Sequence, residues 1–269
     1  MLTIITPTFN ARDRLHSAIS SVLDQTSSNW ELIICPDDAN DYAELVKIDA
    51  RIKVIPSNMA ASGPAAARNR GLEHAKGLAI AYLDDDDQLS KSYVEDSLNA
   101  LQSREAIIFP TIYSDDADNV ARIIGQDLRK MTIKQFALEL GSLHVVAQRQ
   151  YFPKWNNFFA EDVIHTCETI DRIGGEIDII HSASYLARIR SGSMCSSSKD
   201  IDARYRLIIN EEFKGISKSG QADLKSLFKF RQYMNTLFAE NASEEDYNFF
   251  VQNIDKLKRL DIFNHSIRI

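Results

Sequence analysis

The chain has little of what staples or punctuates a small fold. Its 269 residues include three cysteines, ten glycines and six prolines. Cys35, Cys167 and Cys195 are odd in number and widely spaced, which excludes a disulfide framework and the paired spacing of a zinc site. So little glycine and proline excludes a collagen-like or linker-rich chain. No apolar run approaches the roughly 20 residues that cross a bilayer as a helix. Positive charge is also short: 31 Lys and Arg against 38 Asp and Glu leave a net charge of −7. A nucleic-acid binder would carry a basic stripe, so no nucleic-acid partner is expected. MLTIITPTFNARDRL has no basic leader running into an apolar core, so no signal peptide is expected and the cytoplasm is the expected compartment. What is present is 44% hydrophobic residues, enough for one large domain, or one domain with a helical appendage.

The first hundred residues alternate two periodicities. LTIIT (2–6) is β-branched and apolar, and Pro7 is expected to stop it. ARDRLHSAISSVLDQ follows, with Leu15, Ala18, Ile19, Val22 and Leu23 on one helical stripe. WELIIC (30–35) and IKVIP (52–56) read as strands, with a helical pattern at about 40–48 between them. SGPAAARNRGLEHAKG reads as a helix, with Ser62 as cap, Pro64 in the first turn and Gly77 at its end. LAIAYL (78–83) is a strand, Ser90 can cap a helix over 91–102, and AIIFPTIY (106–113) is one further strand. Alternating strands and helices predict a mainly parallel sheet covered on both faces, with ligands at the carboxyl ends of its strands. Further on, SLHVVAQ (142–148) is an expected strand, AEDVIHTCETIDRIG (160–174) a helix, and IDIIHSASYLARIR (177–190) extended. From 221 two amphipathic helices are expected, the second opening on a capping-box-like SEED.

AIAYLDDDDQLS (79–90) ends a strand in four adjacent aspartates. Crowded carboxylates are costly unless water or a cation compensates them. At a ligand-binding strand end the run reads as a site for Mg2+ or Mn2+ with a diphosphate. A solvated acidic turn is the competing reading.

The ordered set TIITPTFNARDRLHSAISSVLDQT, WELIICPDDAN, AAARNRG, YLDDDDQL and AEDVIHTCETI resembles the family-2 glycosyltransferases, inverting enzymes of the GT-A fold that use nucleotide-diphosphate sugars. The likeness is good over 2–100, patchier to 198, and absent beyond. It implies an α/β catalytic domain over 1–200, with a nucleotide-sugar-binding half (1–104) and an acceptor half (105–200). A helical extension would occupy 201–269. Phe9 of TPTFN would lie against the nucleobase, with the backbone of Pro7 and Thr8 alongside; plain core is the alternative for Phe9. In CPDDAN either Asp37 or Asp38 would read the base, and Pro36 interrupts the usual pattern. Arg68 would approach the nucleotide through its planar fork, with Arg70 as competitor. Asp84 and Asp85 would face ribose and diphosphate, and Asp86 would bind the metal, Mn2+ or Mg2+. Asp87 is an extra member that would cap or fix the turn. Inversion needs one carboxylate base at the acceptor hydroxyl. Asp162 takes that role, with Glu161 as acceptor contact or substitute. Many family members carry a histidine near residue 190; Arg190 and Ser191 stand there instead, and Arg190 would hold the diphosphate. His144 and His181 read as structural.

The implied activity is transfer of a sugar, from a UDP-sugar by family preference, to a saccharide or lipid-linked saccharide acceptor in surface polysaccharide synthesis. A sugar nucleotidyltransferase would open with a glycine-rich basic loop, and TPTFNARDR has no glycine. A binding-only scaffold is the other alternative. Phe228, Phe230, Phe238, Phe249 and Phe250 would pack the carboxyl-terminal helices on the catalytic domain; a peripheral membrane contact or a homodimer is the alternative use.

Overall fold

The computed structural model describes residues 1–58, 61–189, 201–241, 250, 251, 253, 254 and 256–267. Strand β1 (Leu2–Thr8) leads to helix α1 (Arg12–Leu23), β2 (Trp30–Pro36), a 3-10 turn at Ala43–Lys47, and β3 (Ile52–Val54). Then come α2 (Pro64–His74), β4 (Ala79–Tyr82), the short β5 (Gln88–Leu89) and α3 (Tyr93–Ala100). The middle of the chain supplies β6 (Ala106–Ile108), β7 (Thr111–Ser114), β8 (Val120–Ile124), β9 (Lys130–Thr132), α4 (Ile133–Glu139) and β10 (Val145–Gln148). Helix α5 (Glu161–Arg172), β11 (Glu176–Ile179) and β12 (Tyr185–Arg188) follow. Helices α6 (Ile201–Ile209), α7 (Lys218–Asn241) and α8 (Lys256–Ser266) lie beyond.

The main sheet has eight strands in the order β3-β2-β1-β4-β10-β6-β11-β9, and a second sheet of four runs β5-β12-β7-β8. β1 pairs in parallel with β2 and β4, and β2 with β3. This is the expected α/β architecture, with helices on both faces. Alternation along β1 feeds two cores. Leu2 and Ile4 meet the α1 stripe of Leu15, Ala18, Ile19 and Val22. Ile5 joins the opposite cluster, which also takes Leu224, Leu227, Phe228, Phe230 and Met234 of α7 and Phe263 of α8. Phe228 and Phe230 are fully buried, each contributing about 1.5–3 kcal/mol. Phe238 is partly buried and meets Phe250, while the side chain of Phe249 lies outside the described residues. Among the described residues no helix is long and apolar enough to cross a membrane.

Several local expectations are corrected. β1 does not stop at Pro7 but runs to Thr8, pairing Pro7 with Cys35 and Thr8 with Pro36 on β2. The Ile5 carbonyl accepts from Leu83 on the β4 side, and that of Thr8 from Asp37 on the β2 side. Alternate residues face alternate neighbours, so Pro7 faces the β4 side beyond Tyr82, the last paired residue of β4; its missing N–H costs no ladder bond there. The run 106–113 is two strands in two sheets, broken at Phe109–Pro110, and 177–190 is likewise β11 and β12. The pattern at 40–48 is one 3-10 turn. Gly63, not Ser62, stands at the start of α2, which ends at His74 rather than Gly77. Ser92, not Ser90, precedes α3. The SEED segment, Arg190, Ser191 and Cys195 lie outside the described residues.

Helix α2 seats directly on β1 and β2 because Gly71 has no side chain. A Cβ there would clash with Ile5 Cγ2 and stand 2.9 Å from Cys35 Sγ. That close approach carries Arg68, one turn earlier on α2, under the carboxyl ends of the parallel strands.

Candidate active site

The four aspartates after β4 are placed differently. Asp84 Oδ1 pairs with Arg68 Nη2 at 2.7 Å. Asp85 Oδ2 accepts the Phe9 N–H at 3.4 Å. Asp86 is partly buried beside them. Asp87 turns inward, accepting from the Tyr185 hydroxyl at 2.8 Å and the Arg188 N–H at 2.9 Å. The same Tyr185 oxygen accepts the Asp84 N–H at 3.1 Å. One strand, β12, thus ties down both ends of the acidic loop. Charge crowding is visible in the protonation equilibria. Burial raises the Asp85 carboxyl, Asp86 and Asp84 reinforce this, and it reaches about 6 although Thr8 opposes. Burial and the same neighbours push Asp87 well above the ordinary carboxylate range. Burial also disfavours the Asp84 carboxylate, but Arg68 outweighs it and leaves that group below its usual range.

Arg68 is 6% exposed and bridges two segments. Its Nη1 lies 3.1 Å from Glu161 Oε1 in the first turn of α5. Its guanidinium stacks 4.4 Å above the Trp155 ring, which lies 3.9 Å from the parallel ring of His165. Asn69 clamps Trp155 by both backbone groups, at 2.8 and 2.9 Å. Arg70 is spent elsewhere, donating to the carbonyls of Pro36 and Ile55. Of the two candidate arginines, only Arg68 faces the acidic loop.

Ala160 adopts a left-handed backbone with φ 57° at the start of α5, strain of a kind that gathers at functional sites. Glu161 and Asp162 then occupy the first turn, where the helix dipole favours carboxylates. Burial and the adjacent Asp162 raise the Glu161 carboxyl, with Arg68 opposing. Asp162 Oδ2 accepts a hydrogen bond from the Ser142 hydroxyl. A cavity of about 20 Å³ lies between these groups, lined by Arg68, Tyr82, Asp84, His144, Trp155 and Asp162 among others. The chain thereby brings Arg68, Asp84 and Asp162 to one place from three distant segments.

At the same carboxyl ends of the strands, Pro7 and Thr8 are buried, and Phe9 is 50% exposed rather than core. Asp37 is 4% exposed and accepts from the Ser62 hydroxyl and, at 2.7 Å, the Gly63 N–H. Asp38 accepts from Asn10 N–H at 2.6 Å, Asn40 N–H at 2.8 Å and the Tyr42 hydroxyl at 3.0 Å. Partial burial disfavours its charge, but these donors leave it below the ordinary carboxylate range. The pair ties the Asn10 and Ser62–Gly63 loops to the end of β2.

Sequence reasoning missed Trp155, Tyr185 and Ser142, and it read His144 as structural. His144 stacks flat on Tyr185 at 3.4 Å, inside the cavity lining. Burial holds its imidazole down to about 4 against the pull of Asp84 and Asp162, with Arg68 assisting. His181 is exposed and bonded to the Leu128 carbonyl at 2.8 Å. No motif marks Trp155 or Ser142; AAARNRG does contain the Asn69 that holds Trp155.

A half-parallel sheet carrying an acidic loop at its strand ends, faced by a carboxylate pair from a later helix, defines the GT-A class of glycosyltransferase folds. The model of Glycosyl transferase family 2 matches residues 3–157, more than half of the chain, and the chain belongs to that family. It is 39% identical over 119 residues to TuaG of Bacillus subtilis (strain 168), a glycosyltransferase named for teichuronic acid biosynthesis, covering 42% of this chain and 47% of that one. It is 46% identical over 90 residues to the Escherichia coli UDP-Glc:alpha-D-GlcNAc-diphosphoundecaprenol beta-1,3-glucosyltransferase WfgD, covering 32% and 35%. The matches therefore span less than half of these relatives' lengths. Among solved structures, S. aureus TarS 1–349 in complex with UDP-GlcNAc superposes with a TM-score of 0.69 over 96% of this chain and 81% of that one, at 18% identity. That likeness speaks to the fold.

Proposed function

We propose that the chain is a metal-dependent inverting glycosyltransferase that moves a sugar from a UDP-sugar to the hydroxyl of a saccharide or lipid-linked saccharide in polysaccharide or glycoconjugate synthesis. The observation that carries this reading is the convergence of Arg68, Asp84 and Asp162 on one cavity. The names of WfgD, with its UDP-Glc donor and undecaprenol-linked acceptor, and of the TarS complex with UDP-GlcNAc favour the donor and acceptor classes.

Phe9, exposed at the strand ends, would cover the base, with Pro7 and Thr8 behind it and Asp37 and Asp38 shaping the pocket floor. Asp84 and Asp85 would meet ribose and diphosphate. Among the described residues no three His, Cys, Asp or Glu side chains form a ready cage for a metal ion. The donors are hard oxygens on adjacent side chains, Asp84 to Asp87, crowded at one strand end, and that chemistry fits Mn2+ or Mg2+ shared with a diphosphate. Asp86, assisted by Asp85, would hold that ion, which when bound neutralises the departing diphosphate. Arg68 keeps Asp84 and Glu161 in fixed relation and adds positive charge beside the leaving group. The acceptor oxygen attacks the anomeric carbon, its bond to the diphosphate breaks, and Asp162 takes the hydroxyl proton. Glu161 contacts the acceptor. On this reading residues 1–200 carry the donor, metal and base groups.

The test is a thermal-shift screen of UDP and GDP with and without Mn2+, followed by turnover of Asp162→Asn. A metal-dependent rise with UDP, with transfer lost and UDP binding kept in Asp162→Asn, is expected. Transfer near the native rate in that variant would remove Asp162 as base. UDP binding without donor turnover in the native chain would favour a binding-only module.

A further inference from the structure

Helix α4 ends on Leu140, in left-handed conformation with φ 55°. Three successive carbonyls, from the last helical residue onward, are all taken by guanidinium groups. Arg122 donates to Glu139 and Leu140, both at 2.9 Å. Arg231, in the middle of α7, donates to the Gly141 carbonyl at 2.6 Å. The next N–H, of Ser142, goes to the Tyr113 hydroxyl at 2.9 Å, and Arg122 lies 4.6 Å over that same tyrosine ring. Gly141 lets the loop lie close to its neighbours: a Cβ there would clash with Ile124 Cδ1 and stand 2.9 Å from Arg122 Nη2. A short strained loop is therefore held group by group. Its product is the Ser142 hydroxyl, donated to Asp162.

Arg231 is an unusual residue for this task. It is 8% exposed, packs 5.1 Å over the Phe136 ring, and its Nε meets no hydrogen-bond partner. A buried guanidinium costs several kcal/mol unless bonded, and a methionine or leucine would fill the same space more cheaply. Helix α7 is also docked to the helix that carries Asp162. Just before its first turn, the Ser217 N–H and hydroxyl donate to Asp171 of α5 at 2.7 and 2.6 Å.

We propose that α7 completes the acceptor side of the site: Arg231 sets the Gly141–Ser142 peptide, and Ser142 fixes the Asp162 carboxylate toward the acceptor. Both are positioning residues, and this role rests on the reading of Asp162 as the base. The carboxyl-terminal helices are then part of the catalytic machinery and not an appendage.

The full chain is compared with Ser142→Ala, Ser142→Thr, Arg231→Met, the double variant Ser142→Ala/Arg231→Met, and Asp162→Asn. Amide hydrogen exchange is read over 139–145 and 160–167 without any sugar donor. UDP release from UDP-glucose and from UDP-GlcNAc is read with Mn2+, alongside UDP affinity. Ser142→Ala should speed exchange over 160–167 and lower kcat by about 10-fold to 100-fold, as a small misplacement of a reacting group does. UDP affinity should stay within about twofold, and Ser142→Thr should restore kcat. Arg231→Met should speed exchange over both segments, and the double variant should be no slower than the worse single one, since both break one chain of contacts. Additive losses in the double variant, or unchanged exchange over 160–167 in Ser142→Ala, would overturn the proposal. If Arg231→Met does not fold, Arg231→Lys takes its place in both comparisons, since an ammonium does not reproduce the fixed guanidinium contact with the Gly141 carbonyl. Full turnover in Asp162→Asn with coupled exchange intact would instead strike the base assignment and leave the α7 linkage standing.

Discussion

Arg68 Nη2 lies 2.7 Å from Asp84 Oδ1, and this one pair joins the helix after β3 to the loop after β4. The second nitrogen of the same guanidinium reaches Glu161 at 3.1 Å. Removing the arginine leaves two partly buried carboxylates uncompensated. Arg68→Met should lower unfolding stability by about 3 kcal/mol, the low end for a broken buried pair because Asp84 keeps 35% of its side-chain exposure. Urea denaturation measures it. Arg68→Lys should recover only part, since a point charge cannot span two carboxylates as a fork does.

Glu31 gives a prediction in pH. It is 4% exposed, and burial disfavours its charge. Lys53, the Thr3 hydroxyl at 2.7 Å and the Lys76 N–H at 2.6 Å outweigh that and leave the carboxyl below its usual range. A folded-state value below the unfolded one gives stability that is present above about pH 4.3 and lost as pH falls through the folded value. Glu31→Gln should therefore cost about 1–3 kcal/mol at pH 7 and flatten the acid side of the stability profile. Denaturant midpoints between pH 3 and 7 test this; an unchanged acid slope would contradict it.

Tyr185 holds the acidic loop from below. Its hydroxyl joins the Asp84 N–H and the Asp87 carboxyl, and the residue is 1% exposed. Tyr185→Phe orphans two buried partners, so a loss of about 1–3 kcal/mol is expected. The loop should also loosen, and the melting-temperature rise given by UDP with Mn2+ should shrink. A full rise in this variant would show that the loop needs no support from β12.

The elements that sequence reading found share one property: their signal is local. The α1 stripe and the apolar β1, β2 and β4 each declare themselves within one window. Direction and partnership do not. Val145–Gln148 reads as a strand from its residues, yet nothing in them says that it enters the sheet antiparallel between β4 and β6. Phe109–Pro110 separates two strands that pattern alone joins. In the site, Arg68, the acidic run and Glu161–Asp162 were legible as motifs. Trp155, Tyr185, Ser142 and Arg231 were not, because each acts through a neighbour that only the folded chain supplies.

The position of β10 bears on how the chain is made. By residue 82 the ribosome has delivered β1, β2, β3 and β4, the whole parallel half of the main sheet. The outer edge of β4 then waits for residues 145–148 to cover it. Until they emerge, Ile80 and its neighbours present an open apolar edge, the kind of surface on which nascent chains pair with one another. A fragment cut before residue 145 would keep that edge permanently, so the first four strands, which carry most of the nucleotide-side residues, should self-associate through it when made alone.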